Sequence, residues 1–315
     1  MLDTLLDRTV VGGYTSVGYR LRARGFDDLP RMDGEVAAVT GATGGIGLAA
    51  AEGFARLGAD VRLLVRNAER GEKAAAAVRE AVPGAQVAVE LCDISDLRSV
   101  RAFAEDFAAR EQRLDVLVHN AGVLPPERTE TQDGIELTVA TNVVGPFLLT
   151  ALLVDLMAAS APARVINVSS GGMYTAKLDV ADLQAERRDF DGVKQYAQTK
   201  RAEVILTELW AERLHERGIV VHSMHPGWVD TPGVQDALPT FSKVTGPFLR
   251  DADAGADTIV WLGAADAPRR VTGRFWHDRR ERPTHRVPWT KESAEDRRLL
   301  WDTCTRLAGL DPEEH

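Results

Sequence analysis

A chain of 315 residues is long for one domain without requiring two, and 44% hydrophobic with 27% charged residues suits a globular protein able to bury a large core. The formal net charge of −9 excludes nucleic acid as the main partner, because no domain-wide basic surface is implied. Cys92 and Cys304 stand far apart without metal-ligand spacing, which predicts free thiols, no metal and a reducing, cytoplasmic location.

No stretch approaches 18 uninterrupted apolar residues, so no transmembrane segment is expected. Asp3, Asp7 and Arg8 interrupt the first ten residues, and no secretion signal is read there. Residues 1–34 form a prefix in which Gly12, Gly13 and Gly18 break any long helix and Arg20, Arg22, Arg24 and Arg31 add positive charge. It reads as an arm packed on the domain or as a contact with a membrane surface.

The domain, expected over residues 35–280, opens with Val36–Thr40, an apolar run bounded by glycines that predicts a buried strand. Gly41-Ala42-Thr43-Gly44-Gly45-Ile46-Gly47 follows directly, then an alanine-rich helix to about Leu57 with Gly58 as its stop. Strand, glycine turn and helix in this order offer free N–H groups to a pyrophosphate. Further strands are predicted at 61–65, 87–91, 114–118, 164–168, 219–224 and 273–276. Helices are predicted at 68–81, from about 95, at 134–157, 196–217 and 252–262. The alternation predicts an α/β, Rossmann-type fold: a single domain doubly wound about a seven-stranded parallel sheet, with ligands at the carboxyl ends of the strands. Residues 281–315 form a charged tail with a predicted helix from Lys291 to Leu307.

Tyr196 and Lys200 are four apart in a helical run, so phenol and ammonium share one face. A positive charge beside a phenol favours the phenolate and equips it for proton transfer. Taken singly, Tyr196 also reads as a core residue, Ser170 as a turn cap and Asn142 as a polar helix residue.

The motifs as a set resemble the short-chain dehydrogenase/reductase family. Its glycine motif is similar to Thr40–Gly47, its N-A-G to Asn120-Ala121-Gly122, its catalytic Asn, Ser, Tyr and Lys to Asn142, Ser170, Tyr196 and Lys200, and its P-G to Pro226-Gly227. Coverage runs over about residues 35–277. The turn Ser169–Met173, the stretch Asp182–Arg187 and Met224–Trp228 resemble the branch called dehydrogenase/reductase family member 12. Two departures stand out: 26 positions separate Ser170 from Tyr196, more than in compact members, and His119 replaces the Asn before N-A-G.

The resemblance implies an NAD(P)-dependent oxidoreductase acting on an alcohol or carbonyl. Tyr196 would be the general acid and base, Lys200 would tune it and hold the cofactor ribose, and Ser170 would bond the carbonyl oxygen. Asn142 would hold a water linking Lys200 to solvent. Gly41, Thr43, Gly45, Ile46 and Gly47 would cradle the pyrophosphate. Asp93 and Ile94 would meet the adenine, Asn120, Ala121 and Gly122 its ribose side, and Pro226, Gly227 and Thr231 the nicotinamide.

At the end of the second strand Val65 stands where an acidic residue would bind a ribose 2′-hydroxyl. Arg66 beside it suits a phosphate, which puts NADP(H) ahead of NAD(H). Met173, Tyr174, Trp228, Phe241 and Phe248 supply apolar surface for a lipophilic small-molecule substrate, or pack under two long loops. The family commonly pairs through the helices predicted at 134–157 and 196–217, which implies a homodimer or tetramer. The other readings are a dinucleotide-binding sensor or scaffold without turnover, and a sugar-nucleotide epimerase or dehydratase.

Overall fold

The computed structural model describes residues 10–230 and 248–311. Thr231 and Phe241 lie outside them. Near-continuous apolar runs form the central strands, as buried parallel sheets require. These strands are β1 (Val36–Thr40), β2 (Asp60–Val65), β3 (Val87–Leu91), β4 (Val116–His119), β5 (Ala163–Val168), β6 (Ile219–Met224) and β7 (Arg274–His277). All seven are parallel, in the order 3-2-1-4-5-6-7. The chain therefore leaves β1 in opposite directions, and a crevice opens at the carboxyl ends of β1 and β4.

An eighth strand, β8 (Arg280–Arg282), which the sequence did not announce, adds antiparallel to β7. The turn between them is Asp278-Arg279, with φ of 51° and 56°. Two successive positive φ values give the tight hairpin turn whose twist matches the strands.

Two helical layers cover the sheet. One face carries α3 (Gly45–Leu57), α4 (Ala68–Ala81) and α8 (Ala252–Ala264); the other carries α5 (Leu97–Arg110), α6 (Leu137–Ala159) and α7 (Gly192–Leu214). α6 is the one described helix long and apolar enough to cross a membrane, with mean hydropathy 1.9, but 89% of that window is buried within the fold. It is a core helix here.

The tail helix α9 (Ala294–Ala308) starts at a capping box in which Ser293 and Asp296 satisfy each other's backbone N–H groups. It packs Trp301 against Phe147 of α6, at 4.9 Å between ring centroids, and Trp210 of α7, at 4.7 Å. The helices expected to pair with a second copy thus carry this chain's own α9 over part of their surface.

From Val10 on, the described part of the prefix is a packed arm with two short helices, α1 (Val10–Tyr14) and α2 (Ser16–Ala23). Arg22 donates to Asp278, and the Gly13 carbonyl accepts from Arg250 at 3.1 Å. Arg250 also bonds the Asp278 carboxylate, and all three side chains are buried.

Candidate active site

The glycine loop and the end of β4 are built into one unit. Thr40 Oγ1 donates to the Val118 carbonyl and accepts from the backbone N–H groups of Asn120 and Ala121 at 2.9 and 3.0 Å. Asn120 Nδ2 donates to the Thr40 and Gly41 carbonyls. Gly41 takes φ of 65°, and a Cβ there would come within 2.9 Å of Ala121 Cα; one on Gly47 would meet the Gly41 carbonyl at 2.5 Å and the Asn120 amide. Both positions therefore need glycine. Nothing lies within 4 Å of where a Cβ on Gly44 would stand, so the approach to the first turn of α3 is open. This bare, donor-rich helix start fits a pyrophosphate. Gly45 opens α3 with φ of 55°, and Ile46 turns away to pack near Gly255.

Beside the loop lies a cavity of about 300 Å³. Its walls include Gly41, Thr43, Asp93, Ile94, Asn120, Ala121 and Gly122 together with Arg66 and Arg70. Asp93 Oδ1 is held by the N–H and hydroxyl of Ser95 at 3.0 and 2.7 Å. Arg70 is a residue the sequence reading missed. Four positions beyond Arg66 in the first turn of α4, it brings a second guanidinium to the cavity rim. Both arginines are exposed, and neither makes an ion pair among the described residues.

At its other end the cavity reaches Gly122 and Val123. A Cβ on Gly122 would stand 3.4 Å from Asn142 Oδ1 and 3.5 Å from Lys200 Nζ, so three separate segments meet there. Asn142 sits in a π-helical turn, Ala140–Val144, inside α6. The wider turn is a recurring mark of functional positions. Its side chain is spent within the protein: Oδ1 accepts from Val123 N–H at 3.0 Å, and Nδ2 donates to Thr199 Oγ1 at 3.0 Å.

α7 begins four residues before Tyr196, capped by Asp191, whose carboxylate accepts from the N–H groups of Val193 and Lys194. Tyr196 is half-buried and Lys200 is buried, with Nζ 5.4 Å from the Tyr196 ring centroid. Lys200 Nζ donates to the Val168 carbonyl at 2.9 Å and to Glu203 Oε1 at 2.6 Å. Burial opposes the ammonium charge, but Glu203 and Tyr196 outweigh it and raise the Lys200 pKa. Glu203 was missed as well.

The serines divide their work. Ser169 is buried and donates to the Lys200 carbonyl at 2.8 Å, a structural bond that ties β5 to α7. Ser170 is half-buried and accepts from Gly172 N–H at 3.3 Å, which leaves its own hydroxyl hydrogen free to turn to a ligand.

For Met173 and Tyr174 the packing alternative holds. They pack with Val204 and Phe275 in a small core of their own, and the Tyr174 hydroxyl donates to the Pro283 carbonyl. Trp228 is half-buried beside Tyr14 of the arm, with ring centroids 6.0 Å apart, and Phe248 is exposed. Tyr14 also lies 4.7 Å from His225, next to Pro226 and Gly227, so the arm forms a wall of this region. No local signal in the arm announces that role, because all its partners are far along the chain.

Comparison with known proteins agrees with this geometry. The short chain dehydrogenase family model matches residues 35–240. The chain is 41% identical over 294 residues to dehydrogenase/reductase SDR family member 12 of Bos taurus, covering 91% of this chain and 92% of that protein. It is 35% identical over 285 residues to retinol dehydrogenase 12 of Homo sapiens, covering 89% and 88%. Among solved structures, an uncharacterized protein from Mycobacterium paratuberculosis is similar at a TM-score of 0.73 and 28% identity, covering 95% of this chain and 98% of that one.

Proposed function

The chain belongs to the short-chain dehydrogenase/reductase family and is an NAD(P)-dependent oxidoreductase, and from that premise we propose that it interconverts a lipophilic alcohol and its aldehyde or ketone using NADP(H). The observation that carries the reading is the meeting of Lys200 and Asn142 at Gly122, a residue that also lines the cavity. The nicotinamide, when bound, supplies or accepts the hydride. Tyr196 gives its hydroxyl proton to the carbonyl oxygen in reduction and takes the alcohol proton in oxidation. Ser170, its lone pair engaged by Gly172, turns its hydroxyl hydrogen to the same oxygen and steadies the charge developing there. Lys200, held by Val168 and Glu203, keeps a third N–H for the cofactor ribose. Asn142 anchors Val123 at the cavity end, and any water it helps to hold is bound through groups other than its satisfied amide.

The preference for NADP(H) rests on Arg66 and Arg70, two guanidinium groups without counterions among the described residues at the cavity rim. Gly41 to Gly47 with Asn120 to Gly122 receive the rest of the adenosine and pyrophosphate, with Asp93 and Ile94 at the adenine. Pro226 and Gly227 border the nicotinamide. A lipophilic substrate is supported by Tyr14 and Trp228 beside the site and by relatives named retinol dehydrogenase. Two buried free thiols support the reducing, cytoplasmic setting.

The test is cofactor absorbance across a panel of aromatic and long-chain aldehydes, ketones and alcohols, with NADPH and NADH. Turnover with NADPH on apolar carbonyls is expected. Tight NADPH binding with no turnover on any member would replace the enzyme reading by that of a silent binding protein.

A further inference from the structure

Glu203 follows Lys200 by three positions on α7, and both side chains are buried, at 8% and 3% exposure. Its Oε1 receives the Lys200 ammonium at 2.6 Å, while Oε2 has no hydrogen-bond partner among the described residues. A buried carboxylate with one oxygen unsatisfied is costly. The side chains facing this stretch of helix offer no second cation. Asn167 of β5, Ser169 just past its end, Ser223 of β6 and Phe275 of β7 lie under it, and Arg201 turns away to the carbonyls of Met173 and Thr284. Lys200 is the one charged group that acts on Glu203.

We propose that Glu203 is a positioning residue for the reaction: acting through Lys200, it holds the ammonium in place and, by gaining or losing its own proton, sets how much positive charge reaches Tyr196. Protonated, Glu203 leaves the Lys200 field at the phenol whole. Ionised, it cancels part of that field. Burial pushes Glu203 up to about 7, with Lys200 pulling the other way, so the change of state falls within the working range of an enzyme. The inference rests on the assignment of Tyr196 as the acid and base.

The test is the pH dependence of alcohol oxidation in wild type, Glu203→Gln and Tyr196→Phe, with carboxyl infrared spectra of the cofactor-free protein. Glutamine keeps an oxygen for Lys200 but never ionises. Glu203→Gln should therefore move the rise of the oxidation rate to lower pH by about one pH unit. A role limited to packing would lower stability and leave the profile in place. In cofactor-free wild type, a protonated-carboxyl band should fade as pH rises through about 7 and be missing from Glu203→Gln. Coincident wild-type and Glu203→Gln profiles, a shift to higher pH, or no titrating band in wild type would overturn the proposal. Should Glu203→Gln fail to fold, the wild-type band alone decides. Full turnover in Tyr196→Phe would instead overturn the acid–base assignment, which separates the two failures.

Discussion

Arg22 Nη1 lies 2.7 Å from the Asp278 carboxylate, across 256 residues of sequence, with both side chains buried. Arg250 holds the same carboxylate from another direction, at 3.0 Å through Nη2. Removing the shared anion strands two buried guanidinium groups. Asp278→Ala should therefore destabilise the protein by about 3–5 kcal/mol, the usual cost of breaking a buried pair from one side. Denaturant unfolding measures that loss, and limited proteolysis should find residues 10–23 cut first.

Tyr196→Phe keeps the ring and its packing while removing the transferable proton. Folding and NADPH binding should survive while turnover falls by a factor on the order of 10²–10⁴. Ser170→Ala should lower the rate without moving the pH at which oxidation rises, because its hydroxyl serves the substrate oxygen. Ser169→Ala should act on stability, since its hydroxyl is bonded to the Lys200 carbonyl. Steady-state kinetics beside thermal melts separates the two serines.

Arg66→Ala and Arg70→Ala should each weaken NADPH by roughly tenfold or more while leaving NADH nearly unchanged, the worth of a charged hydrogen bond. Titration of both cofactors into each variant provides the measurement. Equal losses for the two cofactors would mean that neither arginine reads the 2′-phosphate.

Acid stability follows from the buried histidines. Burial lowers His119 to about 3 and takes His225 well below its ordinary value, with His222 lowered too. Each is neutral in the fold and protonates near 6.5 when unfolded, so the unfolded state binds more protons below that pH. Their stabilisation is complete above about 6.5 and is lost as pH falls toward their folded values, by up to about 1.4 kcal/mol per pH unit for each. Urea midpoints measured downward from neutral pH should fall accordingly. His119→Gln, which keeps a partner for the Thr150 hydroxyl now 2.8 Å from Nε2, should fall less steeply.

The α9 cover makes a prediction about assembly. With Trp301 seated on Phe147 and Trp210, these rings are not available for pairing in the full chain, whose mass by light scattering is the reference. Trp301→Ala should cost about 3–5 kcal/mol. A chain ending before residue 291 should self-associate through the uncovered rings.

The seven parallel strands were legible because buried strands read as apolar runs between glycines, and the glycine loop because strand, turn and helix stand in order. The hairpin at Asp278-Arg279 was not, since its positive φ values fall on residues other than glycine or asparagine. Asn142 was legible as a residue, but the π turn around it was not, because periodicity in an apolar helix does not reveal a single extra residue per turn. Glu203 and Arg70 looked like the solvated charges of ordinary helices. The depth of Glu203 comes from the strands beneath α7, and the placement of Arg70 from the bend between β2 and α4, and both are tertiary facts. The start of α7 at Gly192 was hidden for a similar reason: Asp191 caps it across a stretch with no apolar period.

The docked arm has a consequence for biosynthesis. Gly13 and Tyr14 leave the ribosome more than 200 residues ahead of their partners Trp228, Arg250 and His277. Nascent sheet and helices can form in order as the chain emerges, but the arm has no seat until His277 has been made. Its return then closes a loop of more than 200 residues beside the active site. A chain cut short before Trp228 would carry its glycine loop and Tyr196 and still lack this wall.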